Sequence, residues 1–186
     1  MIIISGVQGV GKTTLIKLLL EQRPMLQLSI SSTTRPPRHQ EIGNEYDFVT
    51  MDEFKLKRQE EYFIEEIEVH GHYYGTPKKY FTVNRVFNVT ACSIQDFEKL
   101  ISNMKNQYYI SIFITAPLPL IQQRIINRLD VDCIVKKMKF AEKELMYAKY
   151  FKYIITNDGA IEEALNHLLN IVDKYLTKTK QLEKFL

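Results

Sequence analysis

The sequence predicts an α/β fold in which a central parallel sheet is covered by helices on both faces. Two observations carry this expectation. Apolar runs of strand length alternate with amphipathic stretches of helix length over most of the 186 residues. At the start of the chain, the apolar run Met1–Ile4, a glycine-rich segment and the amphipathic stretch Thr14–Gln22 follow directly, the order of a strand, a tight turn and a helix.

The glycine-rich segment, Gly6-Val7-Gln8-Gly9-Val10-Gly11-Lys12-Thr13, satisfies every defined position of G-x-x-x-x-G-K-[ST]. Glycines let the backbone turn sharply and approach a polyphosphate with no Cβ in the way. Successive N–H groups and the start of a helix form an anion cradle. This pattern makes Gly6, Gly9, Val10, Gly11, Lys12, Thr13 and Thr14 the candidate residues for binding a nucleoside triphosphate. Lys12 has the reach for the β- and γ-phosphates, and the Thr13 hydroxyl is the candidate ligand to Mg²⁺. A P-loop NTPase core follows, with a nucleoside triphosphate as its ligand.

Bulk properties bound the rest. A chain of this length forms one domain, with room for small inserted lobes. Hydrophobic content of 45% and charged content of 25% are ordinary for a soluble globular protein. The formal net charge of +3 suits phosphorylated small molecules, and no long Lys/Arg block points to nucleic acid. Cys92 and Cys133 stand far apart, without a metal-binding spacing, which excludes a disulfide scaffold and fits a reducing compartment. No basic segment with a cleavable apolar stretch opens the chain, and no run reaches membrane-span length. The expectation is a cytoplasmic protein, a monomer or weak homodimer, with neither nucleic acid nor membrane as partner.

In order, Arg23-Pro24 closes the first helix and Leu26–Ile30 reads as a short strand. The segment Ser31-Ser32-Thr33-Thr34-Arg35-Pro36-Pro37-Arg38 reads as an extended loop, because two prolines oppose a helix. Arg35 and Arg38 among hydroxyls suit a phosphate monoester, since guanidinium forks match phosphate oxygens. A solvated basic turn is the competing reading of that stretch taken alone. Glu45–Thr50 alternates as a strand, and Thr50 with Glu53 forms a capping box for a helix from Met51 to Gln59. Glu61–Tyr74 reads as one further strand-like stretch, ending at Gly75. His70 and His72 share a face of it, but no third metal ligand is evident, which favours an ordinary surface pair.

Pro77–Phe81 is a brief helical piece and Arg85–Ala91 a buried strand. Helices are expected over Ile94–Met104, Leu118–Leu129 and about Asp132 to Tyr150, with strands at Tyr108–Ile114 and Lys152–Thr156. Arg124 and Arg128 stand i and i+4 on one helix face. The turn Asn157-Asp158-Gly159 leads into an amphipathic helix, Ile161–Leu176, and the polar tail from Thr177 is expected to fray.

Three motifs together, Gly6–Thr13, SSTTRPPR at 31–38 and EVHGHYYGT at 68–76, resemble the guanylate kinase family in order and nearly in spacing. The resemblance implies a core at 1–30, 76–127 and 150–176, a lobe binding the nucleoside monophosphate at 31–75, and a short lid at 128–149. It implies that Arg35, Arg38, Tyr46 and Tyr74 hold the acceptor phosphate, and that Ser31, Glu65 and Thr76 read the guanine edge. It implies that the nucleoside triphosphate is ATP, places Asn157 near its adenine and makes Arg124, Arg128 and Lys137 the cations around the transferring phosphoryl group, Lys137 standing where an arginine is usual. The family's strand pattern L-D-I-D falls on Asn88 and Thr90 here, so two expected negative charges are missing; Thr90 remains a candidate contact to GMP.

The activity implied is transfer of the ATP γ-phosphate, with Mg²⁺, to GMP or dGMP. The alternatives are a kinase for another small phosphorylated acceptor, or a catalytically weak nucleotide-binding or interaction module.

Overall fold

The computed structural model describes residues 1–37, 46–69, 71–80, 84–88, 98, 101–102, 108–126 and 134–183. Strand β1 (Ile2–Gly6) is followed by helix α1 (Lys12–Gln22) and the short strand β2 (Gln27–Leu28). Strands β3 (Ser31–Thr33) and β4 (Tyr46–Phe48), helix α2 (Met51–Gln59), and strands β5 (Phe63–Val69) and β6 (His72–Pro77) come next. A 3-10 turn at Lys78–Tyr80 precedes β7 (Arg85–Asn88) and β8 (Ile110–Thr115). The chain continues with helices α3 (Leu118–Ile126) and α4 (Ile134–Leu145), a 3-10 segment at Met146–Tyr150, strand β9 (Tyr153–Thr156) and helix α5 (Ile161–Glu183).

The chain separates into two compact units, one including Leu28–Arg85 and the other including Ile2–Gln27 and Tyr108 onward. The five-stranded sheet has the order β2-β7-β1-β8-β9. Parallel pairing joins β1 to β7 (Ile4 beside Asn88), β1 to β8 (Gly6 beside Ile114) and β8 to β9. Ile2, Ile3, Ile4, Ile112, Phe113 and Ile114 are all fully buried, so both faces of the central strands are covered. That accounts for their continuous apolar runs, where alternation would mark a half-exposed sheet. Leu15 and Leu19 of α1 and Leu168 and Val172 of α5 lie in this core, and Arg23 at the end of α1 grips Asp173 of α5 through Nε and Nη2 at 2.7 and 2.6 Å.

The other unit is built on a four-stranded sheet of order β4-β3-β6-β5. Here β3 and β4 are parallel, whereas β3–β6 and β5–β6 are antiparallel. Helix α2 begins with the expected capping box, the Thr50 hydroxyl accepting from Glu53 N and the Glu53 carboxylate accepting from Thr50 N. Its anchor, Phe54, is fully buried and stacks on Phe63 with centroids 4.6 Å apart.

Several expectations are corrected. Glu61–Tyr74 is no single strand: it divides into β5 and the start of β6, with Gly71 (φ 79°) in the turn, so the presumed shared face of the two histidines does not follow; His70 itself lies outside the described residues. Ser31–Thr33, expected in the extended loop, joins the sheet as β3, because the prolines at 36 and 37 leave its N–H groups free to pair. The first helix begins at Lys12, two residues before the apolar stretch, since the loop's turn hands directly into it. The segment ending at Tyr150 closes as a 3-10 turn. The tail does not fray at Thr177. Helix α5 runs on to Glu183, where Thr177 and Thr179 return their hydroxyls to carbonyls three and four residues back. Most of the helix expected at 94–104 lies outside the described residues. No helix among the described residues is long and apolar enough to cross a membrane.

Candidate functional site

The segment from Gly6 to Thr13 joins the end of β1 to the first turn of α1. A Cβ on Gly6 would run into the Ile114 carbonyl of the neighbouring strand, so this position has no room for a side chain. Gly11 caps α1 at φ 89°, and a Cβ there would stand 2.7 Å from Asn157 Nδ2. Both glycines are therefore required by shape as well as by backbone conformation. Helix α1 has no side-chain cap and no acidic residue in its first turn. The helix dipole favours an anion at its leading N–H groups. Lys12 Nζ donates to the Gly6 carbonyl at 3.4 Å, folding the ammonium over the loop, and Thr13 and Thr14 are exposed beside it.

The loop is held from behind. Asn157, 3% exposed at the end of β9, donates Nδ2 to the Val10 carbonyl at 2.7 Å, and its own N–H donates to Thr115 O. Arg124 on α3 donates Nη1 to the Asn157 carbonyl at 3.0 Å and to the Val10 carbonyl at 3.5 Å. The structure thus brings Arg124, Val10 and Asn157 together, with the guanidinium on backbone carbonyls of the loop and of the β9 turn. Lys137 is half-buried on α4. Further along that helix, the half-buried Glu144 accepts from Gln8 N at 3.4 Å. Burial pushes its carboxyl up to about 7, against the opposing pulls of Lys12 and of the Gln8 N–H.

Among the described residues, two buried amide oxygens, Asn88 Oδ1 and Asn157 Oδ1, have no hydrogen-bond partner. Asn88 ends β7 beside Ile4, two residues before the loop's first glycine. The exposed Thr13 hydroxyl and the Asn88 oxygen are donors of the kind Mg²⁺ accepts, directly or through water. Among the described residues no group of three or more His, Cys, Asp and Glu gathers as a metal cluster.

In the unit including Leu28–Arg85, the candidate acceptor residues form two groups. Ser31 Oγ and Thr76 Oγ1 lie 3.1 Å apart, and Thr76 donates to Glu65 Oε1 at 2.6 Å. The pairing of β5 with β6 produces this arrangement. After Phe63 pairs with Pro77 the register shifts, so that Glu65 comes to face Thr76 directly. In the second group, the Arg35 guanidinium lies 5.5 Å from the Tyr46 and Phe48 ring centroids, and Tyr46 meets Tyr74 edge-on at 5.8 Å. Arg38, Thr90 and Arg128 lie outside the described residues.

Sequence reasoning did not find Glu144 or the group around Asp47. Asp47 accepts from Ser32 Oγ at 2.8 Å and from Lys57 Nζ at 2.6 Å. Burial raises the Asp47 carboxyl, but the bonds from Lys57 and Ser32 outweigh it and hold the group below the usual carboxylate range. The available signal for Glu144 was its spacing, three residues beyond Ala141, which is buried on the same helix.

A parallel sheet with a glycine-rich phosphate loop at the carboxyl end of its middle strand, clamped by Asn157 and Arg124, defines a P-loop nucleotide-binding protein. A family model described as guanylate kinase matches residues 1–175. The guanylate kinase of Clostridium acetobutylicum is 37% identical over 180 residues, which is 92% of this chain and 84% of that protein. The guanylate kinase of Protochlamydia amoebophila is 35% identical over 174 residues, 91% of this chain and 88% of its own. The crystal structure of guanylate kinase from Anaplasma phagocytophilum aligns with a TM-score of 0.69 at 26% identity, over 94% of this chain and 84% of that one. A shikimate kinase from Bacteroides thetaiotaomicron, at 16% identity and a TM-score of 0.54, shares the fold alone. The chain belongs to the guanylate kinase family, the P-loop kinases of a nucleoside monophosphate.

Proposed function

We propose that this chain transfers the γ-phosphoryl group of ATP to GMP or dGMP, giving ADP and the nucleoside diphosphate. The observation that carries the acceptor's identity is the hydrogen-bonded group Ser31–Thr76–Glu65. A carboxylate accepts from guanine N1–H and the 2-amino group together, and a hydroxyl can donate to O6; adenine offers the opposite pattern at both places. Arg35 with Tyr46 and Tyr74 would hold the acceptor phosphate, joined by Arg38. Thr90 is a further acceptor contact carried over from the family pattern.

On the donor side, Gly6, Gly9, Val10 and Gly11 shape the cradle, Lys12 reaches the β- and γ-oxygens, and Thr13 and Thr14 follow on the helix. Thr13, with the unpartnered Asn88 oxygen as a second oxygen donor, would hold Mg²⁺; when bound, that ion would neutralise charge on the β- and γ-phosphates. The transition state spreads negative charge over three equatorial oxygens, and prepositioned cations stabilise it without reorganising. Lys12, Arg128 and Lys137 fill that role, while Arg124 acts by fixing the loop and the Asn157 turn. No covalent enzyme intermediate is required. Residues 31–75 serve as the acceptor lobe, 128–149 as the lid, and the remainder to residue 176 as the core. A cytoplasmic monomer or weak homodimer working on free nucleotides belongs to the same proposal. The complete phosphate loop argues against a decayed binding module.

The test is ADP formation with GMP or AMP as acceptor, in the wild type and in Glu65→Gln. GMP-dependent turnover is expected, with kcat/KM for GMP falling about 100-fold in the variant because the carboxylate's paired acceptance from guanine is lost. Equal turnover with AMP and GMP in the wild type would contradict the proposal.

A further inference from the structure

Glu144 is a carboxylate placed where the phosphate loop should meet phosphate. It projects from α4 on the face that carries the buried Ala141. Its Oε2 accepts from the backbone N–H of Gln8, inside the loop, at 3.4 Å. It is also near enough to Lys12 for the ammonium to act on its charge. The loop amide it accepts from and the loop lysine whose charge acts on it are of the type that binds a nucleotide's terminal phosphates. A carboxylate oxygen presents the same acceptor to them as a phosphate oxygen does. Two anions do not share such a site without cost, and in a half-buried position their repulsion is screened less than on the open surface.

We propose that Glu144 is an internal anion seated on the phosphate loop, which a nucleoside triphosphate must displace in order to bind. The inference rests on the reading of this loop as the ATP site. It assigns to α4 a role distinct from that of Lys137 on the same helix: the cation draws the triphosphate in, whereas the carboxylate holds the ligand-free loop in shape and opposes occupancy. The raised proton affinity that burial gives Glu144 fits this, since a proton taken up on nucleotide arrival would relieve the repulsion.

The experiment is equilibrium binding of ATP and of inorganic triphosphate, each with and without Mg²⁺ and with no acceptor present. The proteins are the wild type, Glu144→Gln, Glu144→Ala and Lys12→Ala, each checked for folding by circular dichroism. Both Glu144 variants are expected to bind ATP and inorganic triphosphate about 3- to 10-fold more tightly than the wild type, the scale of removing one nearby like charge. KM for ATP should fall with them while KM for GMP stays put, which a merely structural role would not produce. Unchanged or weaker binding of both ligands in the Glu144 variants would overturn the proposal. So would a loss seen only with Mg²⁺, because that would place Glu144 in support of the metal. If Lys12→Ala fails to weaken ATP binding, the ATP-site reading itself falls, and the two failures are thereby distinguished.

Discussion

Glu144 and Asn157 show how much a single residue's role depends on distant sequence. Asn157 is anchored to Val10, 147 positions away, and Glu144 to Gln8, 136 away. No periodicity in the chain reports such pairings: the family resemblance singled out Asn157 without its contact to Val10, and nothing in the sequence singled out Glu144. Gly6, Gly11, Lys12 and Thr13 were legible because they fall in one contiguous motif, although the close approaches that Gly6 and Gly11 permit are to the distant Ile114 and Asn157. The raised carboxyl of Glu144 makes a prediction at this scale. A carboxyl whose folded pKa is raised from 4.5 to about 7 contributes stability that is complete below the unfolded value and lost as pH rises through the folded one. Glu144→Gln removes that dependence. Relative to the wild type, the variant should therefore gain melting temperature between pH 5 and pH 8, by about 2 °C or more, and gain nothing further below about pH 4.5. Thermal melts of both proteins across that range check it.

At the scale of elements, helix α2 was read correctly down to its capping box because capping is written within four residues, Thr50 to Glu53. The β5–β6 hairpin was not. Both strands share similar residues, and the turn between them lacks the Asn-Gly or Asp-Gly signal that marks most two-residue hairpins. Helix α5 outran its apolar face because Lys, Gln and Leu sustain a helix without packing. The hairpin matters to function because its register brings Glu65 opposite Thr76. Gly75 keeps that register: a Cβ there would stand 2.7 Å from the Phe63 ring, which is itself stacked on Phe54. Gly75→Ala is expected to destabilise the protein by about 1–3 kcal/mol through overpacking. It should also raise KM for GMP by disturbing the adjacent Thr76, while ATP binding at the phosphate loop of the other unit changes by less than about twofold. Chemical denaturation and the two binding measurements together test this.

For the whole molecule, the alternation of apolar and amphipathic stretches sufficed to foretell a covered parallel sheet, and the order β2-β7-β1-β8-β9 sets the phosphate loop at the carboxyl end of its central strand. Sequence pattern by itself left the partition into two compact units open, because the connections at Leu28 and Arg85 carry no linker-like composition; only the family resemblance implied a separate lobe, at 31–75. One unit holds the phosphate loop and the other the Ser31–Thr76–Glu65 group. The most direct test follows the transferred group itself. The protein is mixed with γ-labelled ATP, Mg²⁺ and, in separate reactions, GMP, dGMP, AMP, UMP or CMP, and the products are separated. The account predicts label in GDP and dGDP alone, with Lys12→Ala reducing the rate by about 100-fold or more. Label appearing only as inorganic phosphate, or equally in every diphosphate, would contradict it.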